Sequence, residues 1–228
     1  MSSASQLRRA ASRREVPSPA ATLDRFGPVT DSAKADLERF VALLADWQRV
    51  HNLVASSALD EVWMRHVADS LQLLQYAPPG FREWVDLGSG AGFPGLVAAI
   101  ASKAFPDRHF TLVESNAKKA AFLRVAIRET GANAGVANER IEAHAQKLAG
   151  QADVISARAL APLLTLLKLA TPYAHKDTLM LFLKGKEHVQ EREAACQSFD
   201  FDVIDYVSAT DSVGRVLAIR NVSPKARP

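Results

Sequence analysis

The four glycines spaced through Asp86-Leu87-Gly88-Ser89-Gly90-Ala91-Gly92-Phe93-Pro94-Gly95 are the residues whose types and spacing most directly imply a chemistry. An apolar run meets an acid, glycines stand at 88, 90, 92 and 95, and a proline opens a helical pattern. This order predicts a strand, a tight turn and a helix start. Glycine permits positive φ and lets a ligand approach the main chain without meeting a Cβ, while the N–H groups of the following helix face the turn. A small polar ligand is expected there; a tight turn with no ligand is the bland reading.

Two ligand classes use such a turn. Gly90, Gly92 and Gly95 satisfy G-x-G-x-x-G, and Glu114 lies about 20 residues further on, where an acid meets a ribose hydroxyl. Alone, that arrangement allows NAD. Asp86, two residues before Gly88, makes the run Asp-x-Gly-x-Gly-x-Gly, the pattern of S-adenosylmethionine (SAM) methyltransferases. A carboxylate directed into the turn opposes a pyrophosphate dianion. SAM has no phosphate and carries a sulfonium and an ammonium, so nearby acids suit it. An NAD(P)-dependent oxidoreductase and a non-catalytic RNA-binding module stand as alternatives, and Glu114 by itself also reads as a solvated acid at a helix start near Asn116.

The methyl acceptor is read from the loop after the fourth strand. Amine methylation calls for an Asn/Asp-Pro-Pro-aromatic loop there; the chain has Ser156-Ala157-Arg158-Ala159-Leu160-Ala161-Pro162. Carbon methylation needs a thiolate nucleophile, and Cys196, the one cysteine, sits in a late polar helix. Nor is there a run of carboxylates that would make a metal site. An acceptor that is already nucleophilic remains, and guanine N7 fits: its in-plane lone pair carries no proton, so no general base is needed. No catalytic side chain is expected; the rate then rests on holding donor and acceptor in line.

The elements that must position these residues are set by periodicity. Thr30 or Asp31 caps a helix with Leu37, Phe40, Val41, Leu44 and Trp47 on one face. After a break at Asn52 to Ser56, Ser57 with Asp60 forms a capping box, and Trp63, Val67, Leu71 and Leu74 give a second stripe ending at Pro78-Pro79-Gly80. Short apolar runs then alternate with helices. Strands are predicted at Trp84 to Leu87, His109 to Val113, Gly135 to Asn138, Asp153 to Ser156 and Thr178 to Leu183. Helices are predicted at about Gly95 to Lys103, Asn116 to Glu129, Pro162 to Leu169 and from Lys186 to about Ser198, and a closing hairpin of Phe201 to Val207 with Val213 to Ile219 turns at Thr210-Asp211. The alternation implies an α/β fold, a mainly parallel seven-stranded sheet covered on both faces, with its ligand at the carboxyl ends of the strands. The expected organisation is a disordered basic tail (1–30), an N-terminal helical extension (31–80), the ligand-binding domain (81–222) and a short basic tail (223–228).

The chain has 228 residues, 48% of them hydrophobic, enough for a real core. One cysteine excludes a disulfide framework and a cysteine-based zinc site. No apolar run reaches the roughly 18 residues of a membrane span, so a cytoplasmic protein is expected, and a monomer. Net charge is +3, with Arg8, Arg9, Arg13 and Arg14 in the opening and Lys225 and Arg227 at the close. Lys118, Lys119, Arg124 and Arg128 share one helix, and Lys184, Lys186, Arg215 and Arg220 fall late in the chain; they read either as solvated faces or as a phosphate-contacting rim whose hold weakens with salt. For Arg65, His66 and Asp69, an Arg65–Asp69 surface pair on a helix is the plain reading.

From about Leu37 onward the sequence resembles the RsmG/GidB family of small-subunit ribosomal RNA guanine-N7 methyltransferases. The likeness rests on Trp47 to Leu53 with Arg65-His66-x-x-Asp69-Ser70, on Asp86 to Gly95 with its Gly-Phe-Pro-Gly ending, on Ile155-Ser-Ala-Arg158-Ala159, and on Lys184-Gly185. The resemblance implies a class I, Rossmann-like SAM-dependent methyltransferase with a helical N-terminal extension, acting on 16S rRNA of the small ribosomal subunit. It implies SAM contacts at Gly88, Phe93, Ile141, Glu142 and Arg158, with Asp86, Gly90 and Glu114 adding to them. Arg158, Lys184 and Arg215, in that order, are the expected RNA contacts, with His66 added by the resemblance. The family often has Asp where this chain has Glu114, and usually Ser-Arg-Ala where it has Ser156-Ala157-Arg158-Ala159.

Overall fold

The computed structural model describes residues 23–26, 29–51 and 61–226. The expected break after Asn52, the Ser57/Asp60 capping box, the arginines at 8 to 14 and Arg227 lie outside the described residues. Helix α1 (Asp31–His51) starts where Thr30 Oγ1 accepts the Ala33 N–H at 3.2 Å, and buries Leu37, Phe40 and Leu44 completely. A second helical passage changes pitch along its length: a π-helix at Val62–Ala68, an α turn at Asp69–Leu71 and a 3-10 turn at Gln72–Gln75. The apolar stripe foresees a helix here but not the π stretch, a geometry that recurs at functional sites.

The sheet has seven strands: β1 (Glu83–Leu87), β2 (His109–Val113), β3 (Ala134–Ala137), β4 (Ala152–Arg158), β5 (Ala174–Lys184), β6 (Phe199–Val207) and β7 (Arg215–Pro224). Their order is β3-β2-β1-β4-β5-β7-β6, with β7 antiparallel to both neighbours and the first five strands parallel. The order reverses between β1 and β4, the switch point at which open α/β sheets bind ligands. The connecting helices are α2 (Gly95–Ala101), α3 (Ala117–Thr130), α4 (Ile141–Ala145), α5 (Leu163–Ala170) and α6 (His188–Cys196).

Alternation along the strands divides the core into two layers. Trp84, Leu112, Val154 and Leu181 join α1, α2, α3 and the passage at Val62–Gln75 on one face. Val85, Ile155, Phe182 and Leu217 join α5, with Ala145 of α4 and Ala195 of α6, on the other. Both faces of the parallel strands are thereby covered, which is why those strands read as near-continuous apolar runs. The N-terminal helices share one contiguous core with the sheet rather than standing apart from it.

Three boundaries are corrected. Leu23 and Phe26, inside the stretch expected to be a disordered tail, are buried in the core around a 3-10 turn at Asp24–Phe26. At the other end β7 runs to Pro224, and the Lys225 N–H donates to Ser198 O at 2.9 Å, so the tail expected from 223 begins as sheet. Strand β5 starts at Ala174 rather than Thr178, after a register shift between Ala152 and Val154 that a periodicity count cannot see.

Candidate active site

The turn after β1 folds back on β2: the N–H groups of Gly88 and Ser89 both donate to Val113 O, at 2.9 and 3.1 Å. Gly88, Gly90 and Gly92 hold φ of +67, +56 and +100°, which explains why glycine stands at each. Within the turn only Gly88 and Gly90 are reachable from outside; Asp86, Ser89 and every residue from Ala91 to Ile100 are buried. An ideal Cβ on Gly90 would make only an ordinary van der Waals contact, with Gly88 O at 3.8 Å, whereas one on Gly88 would sit 2.7 Å from the Leu160 side chain.

Glu114 ends β2 and reaches across to the turn. Its Oε2 accepts the Gly90 N–H at 2.9 Å and its Oε1 accepts the Asn116 N–H at 2.7 Å. It is therefore a buried hinge between turn and helix, not a solvated acid, and each carboxylate oxygen retains a lone pair for a hydroxyl donor. Gly88 and Gly90 for the main-chain approach, with Glu114 behind them, suit a ligand that carries hydroxyls and positive charge. Neither phosphate nor metal ligation is evident; among the described residues no cluster of His, Cys, Asp or Glu could hold a metal.

Asp86 and Phe93, both expected as ligand contacts, are buried side chains in the structure. Asp86 is wholly buried beneath Gly95: an ideal Cβ there would lie 2.5 Å from Asp86 Cβ, so only glycine fits. Trp84 Nε1 donates to Ser156 Oγ at 2.8 Å and Ser156 Oγ donates to Asp86 Oδ1 at 2.6 Å, a chain across β1 and β4 that register pairs residue to residue. Burial pushes the Asp86 carboxyl up to about 6, against the pull of Ser156, Ser89 and the Gly95 N–H. The acid thus supports the turn from below. Phe93 is 8% exposed and its ring packs against Phe40 and His66, centroids 5.4 and 5.0 Å away.

Beyond the carboxyl ends of β4 and β5 lies a cavity of about 520 Å³, walled by Arg158, Leu160, Lys184, Arg215, Asp69 and Ser208 among others. Leu160 also covers Gly88, so one side chain borders both the turn and the cavity. The three expected RNA contacts all line it, but they are not equivalent. Lys184 Nζ is committed to Ala161 O at 3.0 Å and Glu191 Oε2 at 2.5 Å, and Glu191 also accepts the Leu163 N–H at 2.8 Å. That lysine, an expected RNA contact, ties the loop after β4 to the end of β5. Arg215 donates through Nη1 to Ser212 O and Gly214 O, with Nε 3.4 Å from Asp205. Arg158 has its Nε 3.8 Å from Asp69 Oδ2 and, among the described residues, its side chain shows no hydrogen bond, so its five guanidinium N–H groups remain to face the cavity.

Asp69 is the residue that spacing alone misses. Arg65 pairs with Glu61 at 2.6 Å instead, and Asp69 turns to Arg158 and to Ser208 and Thr210 of the β6–β7 turn. His66 does not line the cavity; its ring lies on Phe93, Nδ1 is buried without a partner among the described residues, and burial followed by Arg158 lowers its basicity. Ile141 opens α4 with its carbonyl accepting from Tyr173 Oη at 2.9 Å, and Glu142 beside it is exposed. Both stand at the carboxyl edge after β3, on the same edge as the turn.

A family model described as rRNA small subunit methyltransferase G matches residues 33–217. The chain belongs to this family. Proteins named ribosomal RNA small subunit methyltransferase G are similar along nearly their whole length: one from Methylobacterium nodulans is 47% identical, covering 86% of this chain and 92% of its own. One from Rhizobium meliloti is 46% identical, covering 84% and 90%. Among solved structures, a cofactor-bound protein from MTB superposes with a TM-score of 0.60 at 18% identity, covering 90% of this chain and 98% of its own. A ribosomal protein L11 methylase from Lactobacillus delbrueckii subsp. bulgaricus superposes with a TM-score of 0.53 at 18% identity, covering 71% and 79%. These two likenesses bear on the fold. Family membership makes the chain a methyltransferase and sets aside the dinucleotide oxidoreductase. No helix among the described residues is long and apolar enough to cross a membrane.

Proposed function

We propose that the chain transfers a methyl group from SAM to N7 of a guanine in 16S rRNA of the small ribosomal subunit, in the cytoplasm. The observation that carries this reading is the placement of the glycine turn and the Arg158 cavity on either side of Leu160. Bound SAM supplies an electrophilic methyl on its sulfonium. Gly88 and Gly90 present main chain to it, Glu114 accepts from its hydroxyls, and Ile141 and Glu142 border its base. The guanine N7 lone pair forms the new N–CH3 bond as the C–S bond breaks and sulfur keeps the electron pair, so no proton moves and no side chain need act as a base. Arg158 holds the acceptor by its phosphate or by guanine O6, each of which takes paired N–H donors. A stacked guanine must leave its stem to enter the cavity.

The test is transfer of radiolabelled methyl from SAM into small subunits that lack the modification, with the labelled base mapped by its N7-specific strand cleavage. Label at a single 16S guanine is expected. Label on protein or on another base atom would overturn the acceptor assignment, and no label despite SAM binding by calorimetry would leave another acceptor class or the non-catalytic RNA-binding module as the surviving alternatives.

A further inference from the structure

We infer that Asp69 is the positioning residue of the acceptor cavity, orienting Arg158 toward the incoming nucleotide; this rests on the methyl-transfer reading of the site. The two carboxylate oxygens of Asp69 have different duties. Oδ1 accepts from Gln72 Nε2 at 2.6 Å, Ser208 Oγ at 3.0 Å and Thr210 Oγ1 at 2.8 Å, which saturates it. Oδ2 faces the Arg158 Nε at 3.8 Å. Through this one side chain, the passage at Val62–Gln75 is fastened to the β6–β7 turn and to the end of β4. Gln72 reinforces the seat, accepting the Ala209 N–H at 3.0 Å.

The asymmetry matters for Arg158. At 3.8 Å the carboxylate attracts and orients the guanidinium but takes none of its N–H groups, since a hydrogen bond needs about 3 Å. Lys184 and Arg215, on the same wall, are committed to carbonyls and carboxylates. Arg158 is thus both held and unspent, in a part-buried site where a misaligned guanidinium is poorly rescued by water. A loose donor displaces the acceptor from the line of attack, so the loss falls on the transfer step more than on donor binding.

Asp69→Asn tests this, because the amide keeps Oδ1 for the Gln72, Ser208 and Thr210 donors and replaces the charged oxygen facing Arg158 by an uncharged NH2 that no longer attracts the guanidinium. With small subunits as acceptor, kcat is expected to fall about tenfold to a hundredfold, as for a displacement of about 1 Å. The Kd for SAM and the Tm should hold. In a double-mutant cycle, Arg158→Lys should cost little more once Asp69 is neutralised, the combined loss staying within about twofold of the larger single loss. Multiplicative losses, or an Asp69→Asn enzyme as fast as wild type, would overturn the proposal. A second readout is independent of turnover: in crystals of the ligand-free protein the Arg158 guanidinium should occupy one orientation over the cavity in the wild type and spread over more than one rotamer in Asp69→Asn. If wild-type protein transfers no label, the function reading fails, and that comparison alone decides the seat: loss of the single orientation in the variant supports it, an unchanged Arg158 sinks it.

Discussion

Glu114 Oε2 accepts the Gly90 N–H at 2.9 Å, so the acid ending β2 closes over the glycine turn ending β1. Glu114→Gln keeps the volume and loses the charge that two N–H groups share. A charged hydrogen bond contributes about 1.5–3 kcal/mol, so SAM affinity should drop at least about tenfold by calorimetry. Unchanged affinity would show that the carboxylate serves the turn alone.

Two glycines of the turn should fail in different ways. At Gly95 a Cβ would meet Asp86 Cβ at 2.5 Å and Cγ at 2.7 Å, both buried. Gly95→Ala is therefore expected to cost about 3 kcal/mol or more in stability. At Gly90 there is room, and only the positive φ of +56° resists, a strain of about 1–2 kcal/mol. Gly90→Ala should fold and bind SAM poorly, because the new methyl occupies the ligand's approach. Denaturant unfolding together with SAM titration separates the two outcomes; equal stability losses would contradict the packing.

Asp86 makes stability depend on pH with a definite sign. Its folded-state value of about 6 lies above the ordinary 3.8, chiefly through burial. Between those values the folded protein holds a proton that the unfolded chain has released, so stability from this group rises as pH falls through the window and is lost as pH rises through it. The Tm of the wild type minus that of Asp86→Asn should thus increase from pH 7 to about pH 4. Parallel Tm curves would refute the assignment.

Lys184 and Arg158 line one cavity but should behave oppositely. Lys184→Met leaves Glu191 facing a half-closed site without its cation, costing about 2 kcal/mol, less than a fully buried pair. It should leave the salt dependence of RNA binding intact. Arg158→Gln should do the reverse, reducing the slope of log K against log salt by about one with little change in unfolding. A loss of slope in the lysine variant would return Lys184 to the RNA surface.

The sequence by itself determined what is local. Positive-φ glycines, the acid before them, the strand–helix alternation and the caps are decided by backbone sterics and hydrogen bonds within a few residues. The turn, the sheet and the place of Gly88, Gly90 and Glu114 were therefore legible from residue type and spacing. Fold class and family came from the same runs. Which side chain meets which was not legible, because those pairings join residues far apart in the chain through strand register and helix packing. Asp86 reads as a ligand acid, and only the fold shows that register sets it opposite Ser156 with α2 closing over it. Lys184 reads as an RNA contact, and only the fold shows that α6 brings Glu191 to it. Asp69 reads as the partner of Arg65, one helical turn away, until packing turns it to Arg158 and to the β6–β7 turn. Charge and spacing named the candidates, and only the tertiary structure, by committing some donors and leaving others open, decided which of them can face a ligand.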